Sequence, residues 1–556
     1  MKRLYSVIII TGILLLAILL RFWQLGSVPV SPDWDEASLG YNAYSILKTG
    51  RDEYGSFLPL TFRSFDDYKP PLYVYLAVPS IAVFGLTVFS VRLPSAIFGV
   101  LAVLGTYVLV GLLVRHSRNN KGETIMGVGP KIADALPILS SLFMAISPWH
   151  IQFSRVAFEA NVGLTFNIWA AYFFLRGIYT RRGLFVGSIL FALALYAYHS
   201  ERIFVPGLVL FISVIYRKHL LENKKSVAIA IVAGIIVLLP LIPVLFNKNA
   251  LMRLQGTSSF REQTQLLAVN IKKLEYDKNH TDLLGEIFDN RRVEFAKTII
   301  RGYLIHFSPK WLFITGDDER HHAPGMGLLY LWELPFILIG IYRLLRVKNP
   351  SATFFIGWFA LAPIAASPTT QVPHAIRTLV FLPSFQVFSA VGVLSVYGYM
   401  KNYKPILEIL CKVVLAGVIV TMFIYYVHMY FAHMNVEYSK YWQYGYKQAV
   451  EYAEAHSAEY KKIVVSTDLE QPYIFFLFYS RYDPRKYLAQ GGSISGSFDE
   501  KYNHFKTYEF RKIDWPNEIR DGTTLYIGTP DEIVHGPKAN ITYLDGSPAI
   551  NITDRE

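Results

Sequence analysis

The sequence predicts an all-α protein that crosses a membrane many times and carries a small α/β domain near its C-terminal end. Of its 556 residues, 53% are hydrophobic and 17% are charged, whereas charged residues make up about a quarter of a usual soluble domain. The apolar residues come in long blocks rather than short alternations, for example 7–20, 229–246 and 413–426. Blocks of about 18 or more apolar residues are typical of membrane helices.

Short basic loops predict the orientation of these helices, because Lys and Arg are retained on the cytoplasmic side. With these loops inside, about eleven spans follow in the plasma (inner) membrane, with the N-terminus cytoplasmic and the C-terminal domain extracytoplasmic. The basic loops are 115–131, 176–182, 217–225, 343–348 and 401–404. The predicted spans lie near 5–24, 92–114, 132–148, 158–175, 183–198, 203–216, 227–246, 327–346, 351–366, 375–399 and 405–430.

The apolar segment 71–84 has no place in that count. If it crossed the membrane, every later loop would break the charge pattern, and its roughly fourteen residues are fewer than the twenty or so that a span needs. We therefore expect a juxtamembrane or re-entrant helix on the outer side.

This topology divides the chain into four parts. They are a membrane region 1–246 with a first outer loop 25–91, a large outer loop 247–326, further membrane helices 327–430, and an outer α/β domain 431–556. In the large loop, apolar residues from Val293 to Phe307 recur at helical spacing. That spacing predicts an amphipathic helix, which either lies on the bilayer or packs against other loops.

The outer domain differs from the rest of the chain in its pattern. Lys462–Thr467 and Thr523–Gly528 have the composition of strands, and Tyr441–His456 and Gln471–Tyr479 that of helices.

The charge and cysteine content exclude other classes of protein. The net charge of +12 is what orientation in a membrane requires, so no nucleic-acid partner is predicted. The single cysteine, Cys411, excludes a disulfide within the chain.

An acidic pair, Asp35-Glu36, directly follows the first span. The pair opens a predicted helix that runs to Lys48 and stops at Gly50, with Asp33 as its cap and Glu36 in a capping-box position. Capping accounts for Glu36 but leaves Asp35 available to a cleft, where a partly dehydrated carboxylate has the proton affinity of a general base.

Most of the other notable charges lie at the predicted outer ends of spans. Arg groups there are suited to phosphate, because a guanidinium binds oxyanions with two hydrogen bonds. Interfacial snorkelling and an ion pair between Arg155 and Glu159 are the structural alternatives. The histidines have no recognisable ligand spacing, so no metal site is predicted. These residues are Lys69, Arg92, Arg155, Glu159, Arg202, Arg320, His321, His322 and Arg377; Glu333, inside a span, is a further buried acid.

Taken in order, these motifs resemble the GT-C superfamily of polytopic glycosyltransferases. The nearest branch is the protein O-mannosyltransferase and aminoarabinose transferase group, glycosyltransferase families 39 and 83. The resemblance rests on the N-terminal third and is looser beyond it. The matching residues are Asp35-Glu36 with Gly40-Tyr41, Lys69-Pro-Pro-Leu72, Arg92-Leu-Pro94, and Ser154-Arg155 with Glu159.

The resemblance implies a GT-C fold and the transfer of a hexose or pentose from a polyprenyl-phosphate donor to a protein, lipid or cell-envelope glycan on the outer face. Asp35, Glu36 and Glu159 would be the catalytic acids, although the family usually has Asp at the position of Glu159. The cations would bind the donor phosphate: Lys69, Arg92, Arg155, Arg202, Arg320, His321, His322 and Arg377. No cofactor is implied, and a divalent metal is possible but not required.

Two other classes of function remain open. A lipid or glycan flippase or transporter would carry charges at mid-membrane depth, and only Glu333 fits that pattern. A receptor or assembly subunit would use the outer domain to bind a partner, with the membrane region as its scaffold.

Overall fold

The computed structural model describes residues 2–65, 67–119, 126–180, 183–245, 264–347, 349–402, 404–494, 503–534 and 536–555. The first part of the predicted large loop, 247–263, lies outside the described residues, as do parts of the basic loops. All of the predicted site residues lie within them.

Five of the described helices are long and apolar enough to cross a membrane. They run over Leu4–Phe22, Val88–Ser117, Lys224–Val244, Leu379–Met400 and Pro405–Glu437, and shorter apolar helices cover Leu72–Phe84, Ala133–Ile146, Leu184–Ala194 and Pro350–Leu361. In Pro405–Glu437 the most apolar window has no buried residue, as expected of a surface that contacts lipid. The chain is therefore a mostly helical membrane protein; the number of spans and their orientation stay predictions.

The chain divides into two compact units. The first unit comprises 1–17, 100–151 and 160–422, and the second comprises 18–99, 152–159 and 423–556. The predicted division into four parts followed membrane topology, on which these units do not bear, so it too stays a prediction.

The named secondary-structure elements among the described residues of the first unit are all helices or helical turns. Its helices Glu333–Arg346 and Ser384–Met400 pack closely, because a Cβ at Gly340 would lie 2.0 Å from the carbonyl oxygen of Phe388 and one at Gly392 would lie 2.0 Å from that of Phe336. Such small residues let two helix backbones approach. The other helices of this unit are Leu136–Ile146, Leu184–Ala194, Glu201–Ile215, Arg217–Glu222, Lys224–Leu238, Ile242–Leu245, Thr264–Asn279, Leu283–Phe288, Arg291–Ile305 and Pro350–Leu361, with short helical turns at Ala133–Ala135, Leu239–Leu241, Trp311–Thr315 and Leu379–Phe381.

Five helices contribute residues to both units: Lys2–Phe22, Val88–Asn119, Pro148–Arg155, Glu159–Thr180 and Pro405–His428. The helix Arg291–Ile305 confirms the amphipathic helix predicted in the large loop. The helix Leu72–Phe84 confirms a short apolar helix at 71–84, with only 13 residues.

The second unit combines short helices with two sheets. Its complete helices are Trp34–Thr49, Leu72–Phe84, Met434–Glu437, Tyr446–His456, Pro472–Tyr479 and Pro484–Ala489, with helical turns at Met429–His433 and Trp515–Asn517. Its strands are β1 (Phe62–Ser64), β2 (Asp67–Lys69), β3 (Lys462–Val465), β4 (His504–Phe505), β5 (Tyr508–Phe510), β6 (Thr524–Gly528), β7 (Ala539–Thr542) and β8 (Pro548–Thr553). Strands β1 and β2 form an antiparallel hairpin.

The C-terminal sheet is mixed, with the strand order β4-β5-β3-β6-β8-β7. Strand β3 lies between β5 and β6 and is parallel to both. Its residues Ile463, Val464 and Val465 are all fully buried, as expected of a parallel strand that is covered on both faces. The predicted α/β character of this region is thus confirmed, and the predicted strands and helices match the observed ones within a few residues.

Candidate active site

The helix Trp34–Thr49 fixes the position of the acidic pair. Asp33 caps its N-terminus by accepting a hydrogen bond from the backbone N–H of Glu36 at 2.8 Å, and Gly50 ends it in the left-handed conformation at φ 70°. Both ends were predicted. The helix packs in its own unit against Leu72–Phe84, Pro472–Tyr479 and Pro484–Ala489, so Asp35 and Glu36 start from a fixed backbone.

Glu36 is enclosed by hydrogen-bond donors. Arg92 Nε lies 2.9 Å from Oε1 and Arg92 Nη2 lies 2.8 Å from Oε2, while the backbone N–H of Ala157 also donates to Oε1 at 2.8 Å. Both side chains are buried, at 1% and 0% exposure. The pair therefore ties the first loop to the start of the helix Val88–Asn119 and to the segment 152–159, which favours an anchoring role for Glu36 over the catalytic role predicted for it.

Two buried arginines hold the chain that leaves the first helix. Besides Glu36, Arg92 donates to the carbonyl oxygens of Leu25, Pro29 and Ser31. Arg155 donates to those of Leu20, Gln24 and Val28, and its guanidinium lies over the rings of Tyr430 and Phe431 at 5.3 and 4.8 Å. Both guanidinium groups are thus engaged by this chain's own backbone, which favours structural roles over the predicted contact with a donor phosphate.

A break between two helices separates Arg155 from Glu159. One helix ends at Arg155 and the next begins at Glu159, so the two residues do not lie on one continuous helix. The residues between them include Ala157, whose N–H donates to Glu36. The break between the two helices therefore contributes one of the hydrogen bonds that hold Glu36.

Asp35 differs from Glu36 in both exposure and partner. Its Oδ1 lies 2.6 Å from Nζ of Lys69, and its side chain is 40% exposed whereas that of Lys69 is 8% exposed. The β1–β2 hairpin, in which Lys69 faces Phe62, places the lysine, and Pro70-Pro71 then direct the chain into the next helix at Leu72. An accessible carboxylate thus lies against a buried ammonium group.

The charge of Glu159 also acts on this lysine. Burial alone would lower the pKa of Lys69, but the nearby charges of Asp35 and Glu159 raise it above its ordinary value. Lys69 is therefore a cation at neutral pH. The second unit brings together three of the predicted site residues around this charge, namely Asp35, Lys69 and Glu159; Glu159 is 6% exposed.

The other predicted site residues belong to the first unit. His321 Nδ1 lies 2.8 Å from Oδ2 of Asp317, which also accepts the backbone N–H of Ala375 at 2.7 Å. His374 packs against His321 with ring centroids 5.3 Å apart. Although burial raises the pKa of Asp317, its contacts with His321 and His374 lower it to about 2, and burial lowers the pKa of His374 well below its ordinary value.

The remaining predicted residues of this unit hold separate positions. Arg377 donates to the hydroxyl of Thr369 and the carbonyl of Thr370 at 2.6 Å. Nδ1 of His322 lies 2.8 Å from the carbonyl oxygen of Ala323. Glu333 is buried and accepts hydrogen bonds from Tyr330 N and Ser389 Oγ; Arg202 and Arg320 are half-buried.

Two acids that the sequence analysis did not single out are also notable. Asp317 precedes His321 by four residues, a spacing visible in the sequence, but its proximity to His374 is not. Glu53 is fully buried and accepts hydrogen bonds from Asn42 at 2.8 Å and Ser493 at 2.7 Å. The hydrogen bond with Ser493 joins residues 440 positions apart, so no local signal in the sequence marks Glu53.

The cluster of Asp35, Lys69 and Glu159 has the chemistry of an acid-base site. The carboxylate of Asp35 can accept a proton from a hydroxyl group, and the buried ammonium beside it can stabilise negative charge. The ion pair of Glu36 and Arg92 connects the backbone next to this cluster to the segment 25–31 through hydrogen bonds.

Comparison with known proteins gives likeness in fold but not in sequence. No protein-family model and no curated protein sequence matches the chain. ArnT from Cupriavidus metallidurans, solved with bound undecaprenyl phosphate, matches with a TM-score of 0.52 at 11% identity, over 99% of both chains. Its apo structure matches with a TM-score of 0.51 over 99% of this chain and 98% of that one, also at 11% identity.

The second likeness is to AglB, an oligosaccharyltransferase from Archaeoglobus fulgidus solved with an inhibitory peptide and a dolichol-phosphate. It matches with a TM-score of 0.50 at 13% identity, over 86% of this chain and 64% of that one. The chain thus spans less than two thirds of the length of AglB. ArnT and AglB are both glycosyltransferases of the GT-C superfamily.

Proposed function

From the GT-C fold that this chain has, we propose that it is an inverting glycosyltransferase. It moves a hexose or pentose from a polyprenyl-phosphate donor to a protein, lipid or glycan acceptor on the outer face of the membrane. The observation that carries the proposal is the contact of Asp35 with Lys69 at 2.6 Å. It pairs an accessible base with a buried cation in a fold that, in two solved relatives, binds a polyprenyl phosphate or a dolichol-phosphate.

In the proposed reaction, Asp35 accepts the proton of the acceptor hydroxyl as that oxygen attacks the anomeric carbon. The bond from this carbon to the phosphate oxygen breaks, the configuration inverts, and polyprenyl phosphate leaves. The leaving group is already anionic, so it requires cations rather than a proton donor. Lys69 is the cation beside Asp35, and the negative charge of Glu159 helps to keep Lys69 protonated.

The remaining residues divide by what they contact. Glu36, Arg92 and Arg155 act as positioning residues, because Glu36 and Arg92 bind each other and Arg92 and Arg155 donate to backbone carbonyl oxygens. Arg202, Arg320, His322 and Arg377 remain candidates for binding the donor phosphate. In this proposal, transfer requires no metal or other cofactor. The proposal also includes the topology of eleven spans with the C-terminal domain on the outer side.

The experiment that tests the proposal follows transfer of labelled sugar from polyprenyl-phosphate hexoses and pentoses in membranes that contain the wild-type chain or Asp35→Asn. We expect the wild type to transfer at least one of these sugars. The transfer rate of the variant, normalised to the amount of folded protein, should be lower by a factor of about 10² or more, since a general base contributes about that much. Asp531→Asn, which changes an exposed Asp of the C-terminal domain, is the matched control and should keep the rate.

Two outcomes would overturn the proposal. If the wild type transferred no sugar from any donor but moved the intact lipid across the bilayer, the flippase alternative would replace it. If Asp35→Asn transferred sugar at the wild-type rate, Asp35 would not be the base.

A further inference from the structure

We propose that Asp317, His321 and His374 bind one transition-metal ion of the Zn²⁺ class. This inference does not rest on the proposed glycosyltransferase function. The three residues come from two segments of the first unit, because Asp317 and His321 are four positions apart whereas His374 follows His321 by 53 positions.

The geometry of the three side chains suits a single ion. One ligand atom from each residue lies within 4.8 Å of the other two. The distance from Asp317 Oδ2 is 2.8 Å to His321 Nδ1 and 3.9 Å to His374 Nδ1. Two ligands of one tetrahedral Zn²⁺ lie about 3.4 Å apart, given Zn–N and Zn–O bonds of roughly 2.1 Å, so the observed distances bracket that value.

The Nδ1 atom of His374 is the observation that points to a ligand. It is buried and has no hydrogen-bond partner among the described residues, while His374 as a whole is only 9% exposed. Buried polar atoms in native proteins almost always have a partner. At 3.9 Å, Asp317 is too far to be a hydrogen-bond acceptor for this nitrogen, but a shared ion would satisfy both atoms.

The surrounding backbone holds the ligands in place. The N–H of Ala375 donates to Oδ2 of Asp317 at 2.7 Å, and the N–H of His374 donates to Nε2 of His306 at 3.2 Å. Second contacts of this kind orient the ligands of metal sites. Gly316, at φ 68°, lies so close to the ring of His322 that a Cβ would come within 2.6 Å of it, so the chain just before Asp317 is also constrained.

The donor set selects the class of ion. Two imidazoles and one carboxylate favour Zn²⁺ and similar first-row ions over Mg²⁺ or Ca²⁺, which prefer oxygen ligands. Three protein ligands leave one position for water or an anion. The ion would take the place of the proton shared by His321 and Asp317, and it would fix the segment that carries Arg320 to the turn that carries Arg377.

Metal content measures this proposal directly. The full-length protein, purified in detergent without a polyhistidine tag, is stripped with a chelator, incubated with ZnCl₂ and freed of unbound metal before elemental analysis. We expect about one equivalent of zinc for the wild type, and less than about 0.2 for His321→Asn and His374→Asn, which lose an imidazole ligand. His322→Asn is the matched control, because its Nδ1 faces the carbonyl of Ala323, and it should keep about one equivalent.

A second measurement guards against variants that do not fold. Co²⁺ added to the stripped wild type should give the visible absorption of a four-coordinate ion, and ZnCl₂ should abolish it. Wild-type protein that holds less than about 0.2 equivalents of zinc and shows no Co²⁺ band would overturn the proposal. So would monodisperse His321→Asn and His374→Asn proteins that bind as much zinc as His322→Asn.

Discussion

Glu36 and Arg92 lie 56 positions apart in the chain and form a buried ion pair, whose shortest contacts are Nε to Oε1 at 2.9 Å and Nη2 to Oε2 at 2.8 Å. The neighbouring acid, Asp35, is 40% exposed and pairs with Lys69 instead. Two adjacent carboxylates thus have separate tasks. One anchors the backbone, and the other is partly exposed to solvent.

The first prediction concerns this anchor. Glu36→Gln removes the charge that compensates Arg92, and an unpaired buried charge costs about 3–5 kcal/mol. We expect a large loss of folded protein and a lower apparent Tm in detergent, measured by size exclusion after heating. Asp35→Asn should lower the Tm much less, because Asp35 is partly exposed and Lys69 keeps the charge of Glu159 nearby. Equal Tm values for Glu36→Gln and the wild type would contradict the anchoring role.

The second prediction concerns the cation beside Asp35. Lys69→Met keeps most of the length of the side chain but leaves Asp35 and Glu159 without their shared cation, so the leaving phosphate loses electrostatic stabilisation. We expect kcat for sugar transfer to fall by about 10²–10³-fold, the effect of losing one preorganised charge. Steady-state rates at varied donor concentration separate this fall in kcat from a change in KM.

Lys69→Arg is the control for that measurement. It keeps the positive charge in a wider group and should retain more activity than Lys69→Met. If Lys69→Met matched the wild type in kcat, the buried ammonium would have only a structural role.

Local signals in the sequence were enough to predict the helix that carries the acidic pair. Asp33 and Gly50 are visible in the sequence directly before and after the predicted helix, and the structure has both caps. The strands β3 and β6 were also predictable from local sequence, since short runs rich in β-branched residues are typical of strands.

The partners of the site residues could not be predicted in this way. Arg92 was expected to meet a phosphate, but it meets Glu36 and three carbonyl oxygens. Arg155 likewise meets backbone from the end of the first span. Which charge meets which partner is decided by packing between segments far apart in the chain, and no residue spacing encodes that.

The third prediction concerns the pH dependence of stability through Glu53. Burial raises the pKa of Glu53 to about 7, against the opposing effect of its hydrogen bonds with Ser493 and Asn42. The folded state therefore holds this proton more tightly than the unfolded chain does, whose carboxyl has an ordinary pKa of about 4.3. The stability that this protonated carboxyl contributes is fully present below about pH 4 and is lost as the pH rises through about 7.

Glu53→Gln tests that relation, because the amide does not ionise. Between about pH 5 and about pH 8 the apparent Tm of the wild type should fall more steeply than that of the variant, at up to about 1.4 kcal/mol of stability per pH unit below the folded pKa. Glu459→Gln, which changes an exposed Glu of the C-terminal domain, should follow the wild-type curve. Parallel curves for the wild type and Glu53→Gln would show that Glu53 is not protonated in the folded state.

The fourth prediction concerns Gly40, on the helix that carries Asp35. A Cβ there would lie 2.6 Å from Cγ2 of Val91 and 2.8 Å from Cε2 of Phe478. Since those side chains are packed within the same unit, Gly40→Val should cost about 1–3 kcal/mol through overpacking and lower the apparent Tm. Gly417→Ala is the control, because a Cβ at Gly417 meets nothing within 4 Å and Ala favours a helix. A Gly40→Val protein as stable as Gly417→Ala would mean that the helix can move away from Val91 and Phe478, and Asp35 with it.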